Sequence, residues 1–139
     1  MPLGIAFGLG AEIARLQAGW PLIWVVADLV PGLAFLVCGE IAWERRPGNR
    51  VGPLMVAIAF AWYVGTYGAI AEPAITETAH AFQGYYDALL AWLILAYPSG
   101  RLASRSSRAV VGALFGVLAV RTVFRIAISM SRLVKTNRK

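Results

Sequence analysis

The stretch WPLIWVVADLVPGLAFLVCGEIAW, residues 20–43, decides the fold class of this chain. At about 1.5 Å of rise per residue, a helix of this length crosses a hydrocarbon core of about 30 Å. Trp20 and Trp43 stand at its two ends, and tryptophan is enriched at membrane–water interfaces. The stretch therefore predicts a transmembrane helix.

The composition agrees with lipid as the surrounding solvent. Of the 139 residues, 59% are hydrophobic and only 14% are charged, and the mean hydropathy is +0.66. Soluble domains usually contain about 45–50% apolar and about 25% charged residues. The apolar residues of this chain form long runs instead of the alternating or helical patterns of water-facing folds. This arrangement argues against a soluble enzyme.

Further apolar runs predict an all-α integral membrane bundle of about four transmembrane helices. The second run contains no charged residue. The third and fourth apolar runs are shorter, and they reach spanning length only if adjoining polar residues are included. Residues 1–19 mix glycine with polar residues and are interpreted as a flexible or interfacial N-terminal lead-in. The predicted multi-span domain covers residues 20–130, with spans at 20–43, 51–71, 80–97 and 108–130, followed by a basic tail at 131–139.

The charged residues predict the orientation of the bundle. There are 13 Lys and Arg against 7 Asp and Glu, a formal net charge of +6. The basic residues lie between or after the apolar runs, where they determine topology, so nucleic acid is not an expected partner. Short basic loops stay on the cytoplasmic side. We therefore expect residues 44–50 and 98–108 inside and the acidic segment 72–87 outside.

The C-terminal tail conflicts with four crossings, because its basic residues would then lie outside. Two explanations are open. Residues 121–135 have a basic and an apolar side when projected on a helix, which is typical of a helix that lies on the membrane surface. Alternatively, the chain has been cut short or has diverged at its end.

Asp28 is the strongest functional candidate. Inserting a carboxylate within a membrane-spanning helix costs about 2.5–3.5 kcal/mol of free energy on insertion scales. Gly32 and Gly39 share its side of the helix and form a small-residue face suited to helix contact. Asp28, Gly32 and Gly39 are therefore the candidate sensing and packing residues. Three roles are open for Asp28: a structural hydrogen bond, ligand or proton sensing, and transport coupling.

Other residues give weaker indications. His80, beside Glu77, is either an outer pH switch or a solvated loop residue. Gly112 and Gly116 favour bundle packing over a dimer face. No catalytic motif, metal-ligand cluster or cofactor-binding loop is present in the sequence. We therefore expect no catalytic residues, metal or cofactor, and the lipid bilayer as the main partner.

Two turn motifs carry a resemblance to a known family. They lie in ADLVPGLAFLVCGEIAWERRPGNRVGPLMVAIAFAW, residues 27–62, and in LILAYPSGRLASRSSRAV, residues 93–110. In this order and spacing the chain resembles the multi-span N-terminal membrane region of actinobacterial sensor histidine kinases, over roughly residues 20–120. The residues that match the family's turns are Arg45, Arg46, Pro47, Gly48, Asn49, Arg50, Pro98, Ser99, Gly100 and Arg101.

The resemblance implies a sensory input region of a two-component system in the bacterial cytoplasmic membrane. Complete relatives continue into a dimerisation domain and an ATP-binding domain, whereas this chain ends at Lys139. We therefore expect a fragment or stand-alone relic without kinase activity, and His80 lies outside any phosphoacceptor motif. The alternatives are a small multi-span transporter and an accessory subunit that packs against a larger membrane partner. A homodimer is also open.

Overall fold

A computed structural model describes residues 2–69 and 73–136, and within these ranges it contains α-helices, one 3₁₀ turn and no β-strand. The predicted all-α fold class is confirmed. The elements are α1 (Pro2–Gln17), α2 (Leu22–Arg45), α3 (Val51–Thr66), the 3₁₀ turn (Tyr67–Ala69), α4 (Pro73–Phe82), α5 (Tyr85–Ala96) and α6 (Arg105–Thr136).

Three of the described helices are long and apolar enough to cross a membrane. They are α2, α3 with its 3₁₀ turn to Ala69, and α6 as far as Ser131. Only 22%, 33% and 11% of their apolar windows are buried inside the protein. Soluble monomers rarely expose continuous apolar surfaces of this extent. The predicted spans 20–43, 51–71 and 108–130 fall on these helices, although residues 70 and 71 lie outside the described ranges.

The predicted third span, residues 80–97, is not one continuous helix. It falls on the end of α4, a turn at Gln83 and Gly84, and α5. Gly84 has a φ of +99°, a left-handed conformation that side chains with a Cβ rarely adopt. α5 has 12 residues, about 18 Å of helix, which is shorter than the hydrocarbon core. The structure therefore does not confirm four spanning helices.

The predicted lead-in, residues 1–19, contains a regular helix. α1 runs antiparallel to α2, because Gly4 packs against Leu36 while Arg15 reaches Asp28. Gly4 is buried against Leu36 of α2, and Gly8 is buried against Tyr63 of α3. In the sequence these glycines indicated an interrupted, flexible segment. In the fold they allow two helix backbones to approach closely.

α3 lies at the centre of the bundle, in contact with α1, α2 and α5. The bundle has two ends with different residues. The polar end is the end at which Arg15, Asp28 and Thr66 meet. The turn end contains the α2–α3 connection and the α5–α6 connection, which contact each other.

α6 packs on α4 and α5. Arg121 Nη1 donates to the Gln83 carbonyl at 2.9 Å, and the Thr122 hydroxyl donates to the Ala81 carbonyl at 2.8 Å. The predicted surface helix, residues 121–135, continues the same helix as the apolar run before it, without a break. Gly112 and Gly116, predicted to pack in the bundle, have open space beside them. Residues 137–139 of the predicted tail lie outside the described ranges.

Tyr63 fixes the position of α3 against α2. Its side chain is 1% exposed, and its hydroxyl donates to the Leu29 carbonyl at 2.9 Å. The neighbouring Trp62 Nε1 donates to the Asp28 carbonyl at 3.1 Å. Both carbonyls lie in the turn before Pro31, whose ring interrupts the hydrogen-bond ladder of the helix. Two aromatic donors of α3 therefore bond to the segment of α2 that proline weakens.

Candidate functional site

The Asp28 carboxylate joins three helices at the polar end. Arg15 of α1 approaches Asp28 Oδ2 at 3.0 Å, and the Thr66 hydroxyl of α3 donates to the same oxygen at 2.9 Å. The Arg15 and Asp28 side chains are 18% and 19% exposed. An ion pair with this little exposure is screened much less than a surface pair. One charged group, the Asp28 carboxylate, therefore contributes to the packing of both α1 and α3 on α2.

Two more residues complete the polar cluster, which is defined as Glu12, Arg15, Asp28 and Thr66 together with Trp20. The Arg15 guanidinium lies 5.0 Å from the centre of the Trp20 ring, a cation–π contact. Glu12 is 3% exposed. Neither of its carboxylate oxygens has a hydrogen-bond partner in the described part of the chain.

The sequence contained a signal for the buried position of Glu12. Gly4, Gly8 and Glu12 recur every four residues, so they lie on one face of a helix. All three are buried in the structure. The interpretation of residues 1–19 as a flexible or interfacial lead-in does not assign this helix face or its acid to a contact.

A cavity of about 150 Å³ opens beside the Arg15–Asp28 pair. Since a water molecule occupies about 30 Å³ in the liquid, the cavity is large enough for a few waters or a small polar ligand. It gives the Asp28 carboxylate a route to solvent. The residues that line it are Arg15, Asp28, Ala61, Trp62, Gly65, Thr66, Gln83 and Tyr86.

The predicted packing residues Gly32 and Gly39 both lie at the α2–α3 contact. A Cβ added at Gly32 would overlap the ring and hydroxyl of Tyr63. A Cβ added at Gly39 would lie 2.8 Å from Met55 Cβ and 3.0 Å from the carbonyl oxygen of Gly52. The structure thus places Asp28, Gly32 and Gly39 along one contact between these helices.

The two predicted turn motifs contact each other at the turn end. Asn49 Nδ2 donates to the Pro98 carbonyl at 3.0 Å, and the Arg50 amide donates to the Ser99 carbonyl at 3.3 Å. Asn49 Oδ1 also accepts the amide of Val51 at 3.0 Å, which satisfies a free donor at the start of α3. Sequence analysis identified each motif but not this contact between them.

The turn end carries a concentration of arginine. A cavity of about 330 Å³ opens between the two turns, lined in part by Arg45, Arg46, Asn49 and Pro98. All the arginines of the two connections are exposed, and among them Arg108 Nε also donates to the Leu102 carbonyl at 3.2 Å. These residues are Arg45, Arg46, Arg50, Arg101, Arg105 and Arg108.

Other predicted residues lie apart from the polar cluster. His80 lies in the last turn of α4, where its Nδ1 is 3.3 Å from Gln83 Oε1. Cys38 is exposed on the surface of α2. Among the described residues, no group of three or more His, Cys, Asp or Glu side chains is placed to hold a metal ion.

Comparison with protein-family models, with curated proteins and with solved structures finds no match for this chain. The resemblance to sensor histidine kinases therefore stays a prediction. The features that bear on function are the polar cluster and the contact between the two turns.

Proposed function

We propose that this chain is a membrane-embedded sensory region, similar to the input region of a two-component sensor histidine kinase, without catalytic activity of its own. One observation carries the proposal. A single carboxylate, Asp28, joins α1, α2 and α3 beside a solvent-accessible cavity. Of these helices, α2 and α3 lead directly to the paired turns at the other end.

The proposed relay is a change in helix packing. A ligand or proton that alters the charge of the polar cluster changes how strongly α1 and α3 are held on α2. α2 and α3 are in close contact at Gly39 and Gly52, so a shift between them at the polar end is transmitted along both helices. Asn49 and Arg50 connect α3 to the α5–α6 turn, which therefore moves with it. Such coupling requires that the signal bind the two packing states unequally.

We further propose that the chain crosses the membrane four times. α3 leads from Asn49 at the turn end to Thr66 at the polar end. α5 joins the same two ends, because Tyr86 lines the polar cavity and Pro98 bonds to Asn49. We therefore propose that α5 crosses the membrane together with α3, with only about 18 Å of regular helix in its 12 residues. The four proposed crossings are α2, α3, α5 and α6.

The orientation follows from the arginines of the two turns, and with four crossings it leaves the basic residues that follow Arg121 on the outer side. Basic residues near membrane helices favour the cytoplasmic side, so the turn end is proposed to lie inside and the polar end outside. The proposed location is the bacterial cytoplasmic membrane, with lipid around the exposed apolar faces. In this orientation the polar cavity samples the medium outside the cell.

The relay predicts that a change at Asp28 alters the turn end. In the full chain reconstituted in lipid nanodiscs, Asp28→Asn is expected to increase hydrogen–deuterium exchange of the Arg50 amide at least about fivefold, the lower end of measured coupling energies. Asp87→Asn is the matched control, because Asp87 is an exposed carboxylate in the first turn of α5. Exchange is measured by mass spectrometry of peptides that cover residues 46–50.

Unchanged exchange at residues 46–50 in Asp28→Asn would contradict the sensory proposal and favour a static accessory subunit. Equal effects of Asp28→Asn and Asp87→Asn would contradict it as well, because the response would then not be specific to the polar cluster. Proton-coupled solute flux into liposomes that disappears in Asp28→Asn would favour the transporter alternative.

A further inference from the structure

Glu12 is a second acid of the polar cluster, besides Asp28, and it is buried. It lies in α1, outside the three helices long enough to span, and only 3% of its surface is exposed. Both of its carboxylate oxygens are without a hydrogen-bond partner within the described ranges. An ionised carboxylate is strongly disfavoured in such a position, because burial removes its hydration and nothing replaces it.

The donors of Arg15, Tyr63 and Tyr67 bond to groups other than Glu12, except Arg15 Nε, which has no partner in the described part of the chain. Arg15, on α1, pairs with Asp28 of α2 at 3.0 Å. The Tyr63 hydroxyl of α3 donates to the Leu29 carbonyl, and the Tyr67 hydroxyl of the 3₁₀ turn donates to the Phe7 carbonyl, each at 2.9 Å.

The Thr66 hydroxyl also donates to Asp28. The Asp28 carboxyl is the neighbouring group that acts on Glu12 through both its charge and a side-chain hydrogen bond. Two carboxylates are both acceptors and cannot bond to each other. If Glu12 is the acid, its O–H can donate to Asp28.

We propose that Glu12 and Asp28 together form a proton-binding site, in which the acid form of Glu12 donates to the Asp28 carboxylate. The ligand is a proton taken from water in the cavity that Asp28 and Arg15 line. Binding forms the O–H bond on Glu12 and leaves Asp28 paired with Arg15. Release returns the proton to water and leaves two carboxylates facing one guanidinium.

The electrostatics favour a proton at this position near neutral pH. Burial and, secondly, the adjacent Asp28 raise the pKa of Glu12, Arg15 opposes both, and together they bring the pKa to about 7. Asp28 accepts from both Arg15 and Thr66, whereas Glu12 has no donor within the described ranges.

This inference deepens the proposed function, on which it rests for its biological meaning, because it names the proton outside the cell as the signal. Loss of the proton places like charges on α1 and α2 in contact. Their repulsion weakens the packing of α1 on α2. The expected response is a looser α1 as the pH rises.

The direct test is infrared spectroscopy of the full chain in lipid nanodiscs, titrated between about pH 5 and about pH 9, a range that brackets the proposed titration. We expect a carboxylic-acid carbonyl band that disappears with a midpoint of about 7. The band should be absent in Glu12→Gln and retained in the control Glu44→Gln, since Glu44 is exposed. No such band, or a band that survives in Glu12→Gln, would overturn the proposal.

Two further variants separate a proton site from a purely structural role. Asp28→Asn removes the negative charge beside Glu12 and frees Arg15, so the midpoint should fall by at least about one pH unit, within the range of shifts caused by nearby charges. Arg15→Gln removes the charge that lowers the pKa of Glu12 and should raise the midpoint. Shifts in the same direction, or no shifts, would overturn the assignment to this pair.

Thermal denaturation gives an independent readout. Because the fold raises the pKa of Glu12 from 4.5 to about 7, its contribution to stability is fully present below about pH 4.5 and is lost as the pH rises to about 7. The Tm should therefore fall across this interval. Glu12→Gln should flatten that fall and have the higher Tm at about pH 8, because its amide is neutral and can donate to Asp28. An unaltered pH dependence in Glu12→Gln would overturn the proposal.

Failure of the proton site and failure of the sensory proposal give different results. One possible result is that no Glu12 band titrates while Asp28→Asn still speeds exchange at residues 46–50. In that case the relay is supported, and the proposal that a proton is its signal is overturned. With a titrating band but unchanged exchange, the proton site stands and the sensory function is overturned.

Discussion

Replacing Gly32 with alanine is expected to destabilise the bundle by about 1–3 kcal/mol, and replacing it with leucine to prevent folding. The added Cβ would overlap the ring of Tyr63, which is buried between two helices. The ring cannot retreat toward α1, because Gly8 is in contact with its other side, where an added Cβ would lie 2.7 Å from Cε2. A retreat would also break the hydrogen bond from Tyr63 to the Leu29 carbonyl.

The measurement is the Tm of purified protein in detergent, together with the yield of monodisperse protein. Gly116→Ala in α6 is the matched control, since an added Cβ there meets nothing within 4 Å. That control should be neutral or slightly stabilising, because alanine is about 1 kcal/mol better than glycine inside a helix. If Gly32→Ala were as stable as Gly116→Ala, the described contact between α2 and α3 would be wrong.

The second large effect is expected for Asp28→Leu. The substitution leaves the Arg15 guanidinium without its carboxylate and the Thr66 hydroxyl without its acceptor. Removing one partner of a fully buried pair costs about 3–5 kcal/mol, whereas exposed pairs contribute about 0–1 kcal/mol. Because this pair is 18% and 19% exposed and Glu12 can replace Asp28 as counter-ion, we expect a loss of about 2 kcal/mol.

Chemical denaturation in detergent measures this loss, with Asp87→Leu as the control. Asp87 is exposed, so its replacement should change the free energy of unfolding by less than about 0.5 kcal/mol. Asp28→Asn should fall between the two, because the amide oxygen still accepts the Thr66 hydroxyl. Equal stability of Asp28→Leu and Asp87→Leu would show that Asp28 does not hold α1, α2 and α3 together.

The sequence predicted the parts of the fold that depend on local composition. The run that contains α2 is apolar over a membrane thickness, and this alone indicated a spanning helix. The spacing of Asp28, Gly32 and Gly39 indicated a contact face, because residues at these intervals share one side of a helix. Pro47 and Gly48, like Pro98 and Gly100, indicated the two turns, since these residues end helices.

Long-range contacts were not predictable in the same way. Nothing local shows that Arg15 is the counter-ion of Asp28, because the partner lies in a different helix and in a segment interpreted as a lead-in. The contact of Asn49 with Pro98 joins residues 49 positions apart, and no periodicity connects them. Gly84 lies in an otherwise helical stretch, where only its positive φ in the folded chain shows that the helix is broken.

The proposed function requires that the polar cluster and the paired turns lie on opposite sides of the membrane. Its most direct test is labelling of single cysteines in intact cells with a membrane-impermeant thiol reagent, on a Cys38→Ala background. Gln17→Cys marks the polar end, and Gly48→Cys and Ala103→Cys mark the turn end, all at exposed positions. We predict that Gln17→Cys is labelled from outside and that the other two are labelled only after permeabilisation. Labelling of all three from the same side would contradict the account.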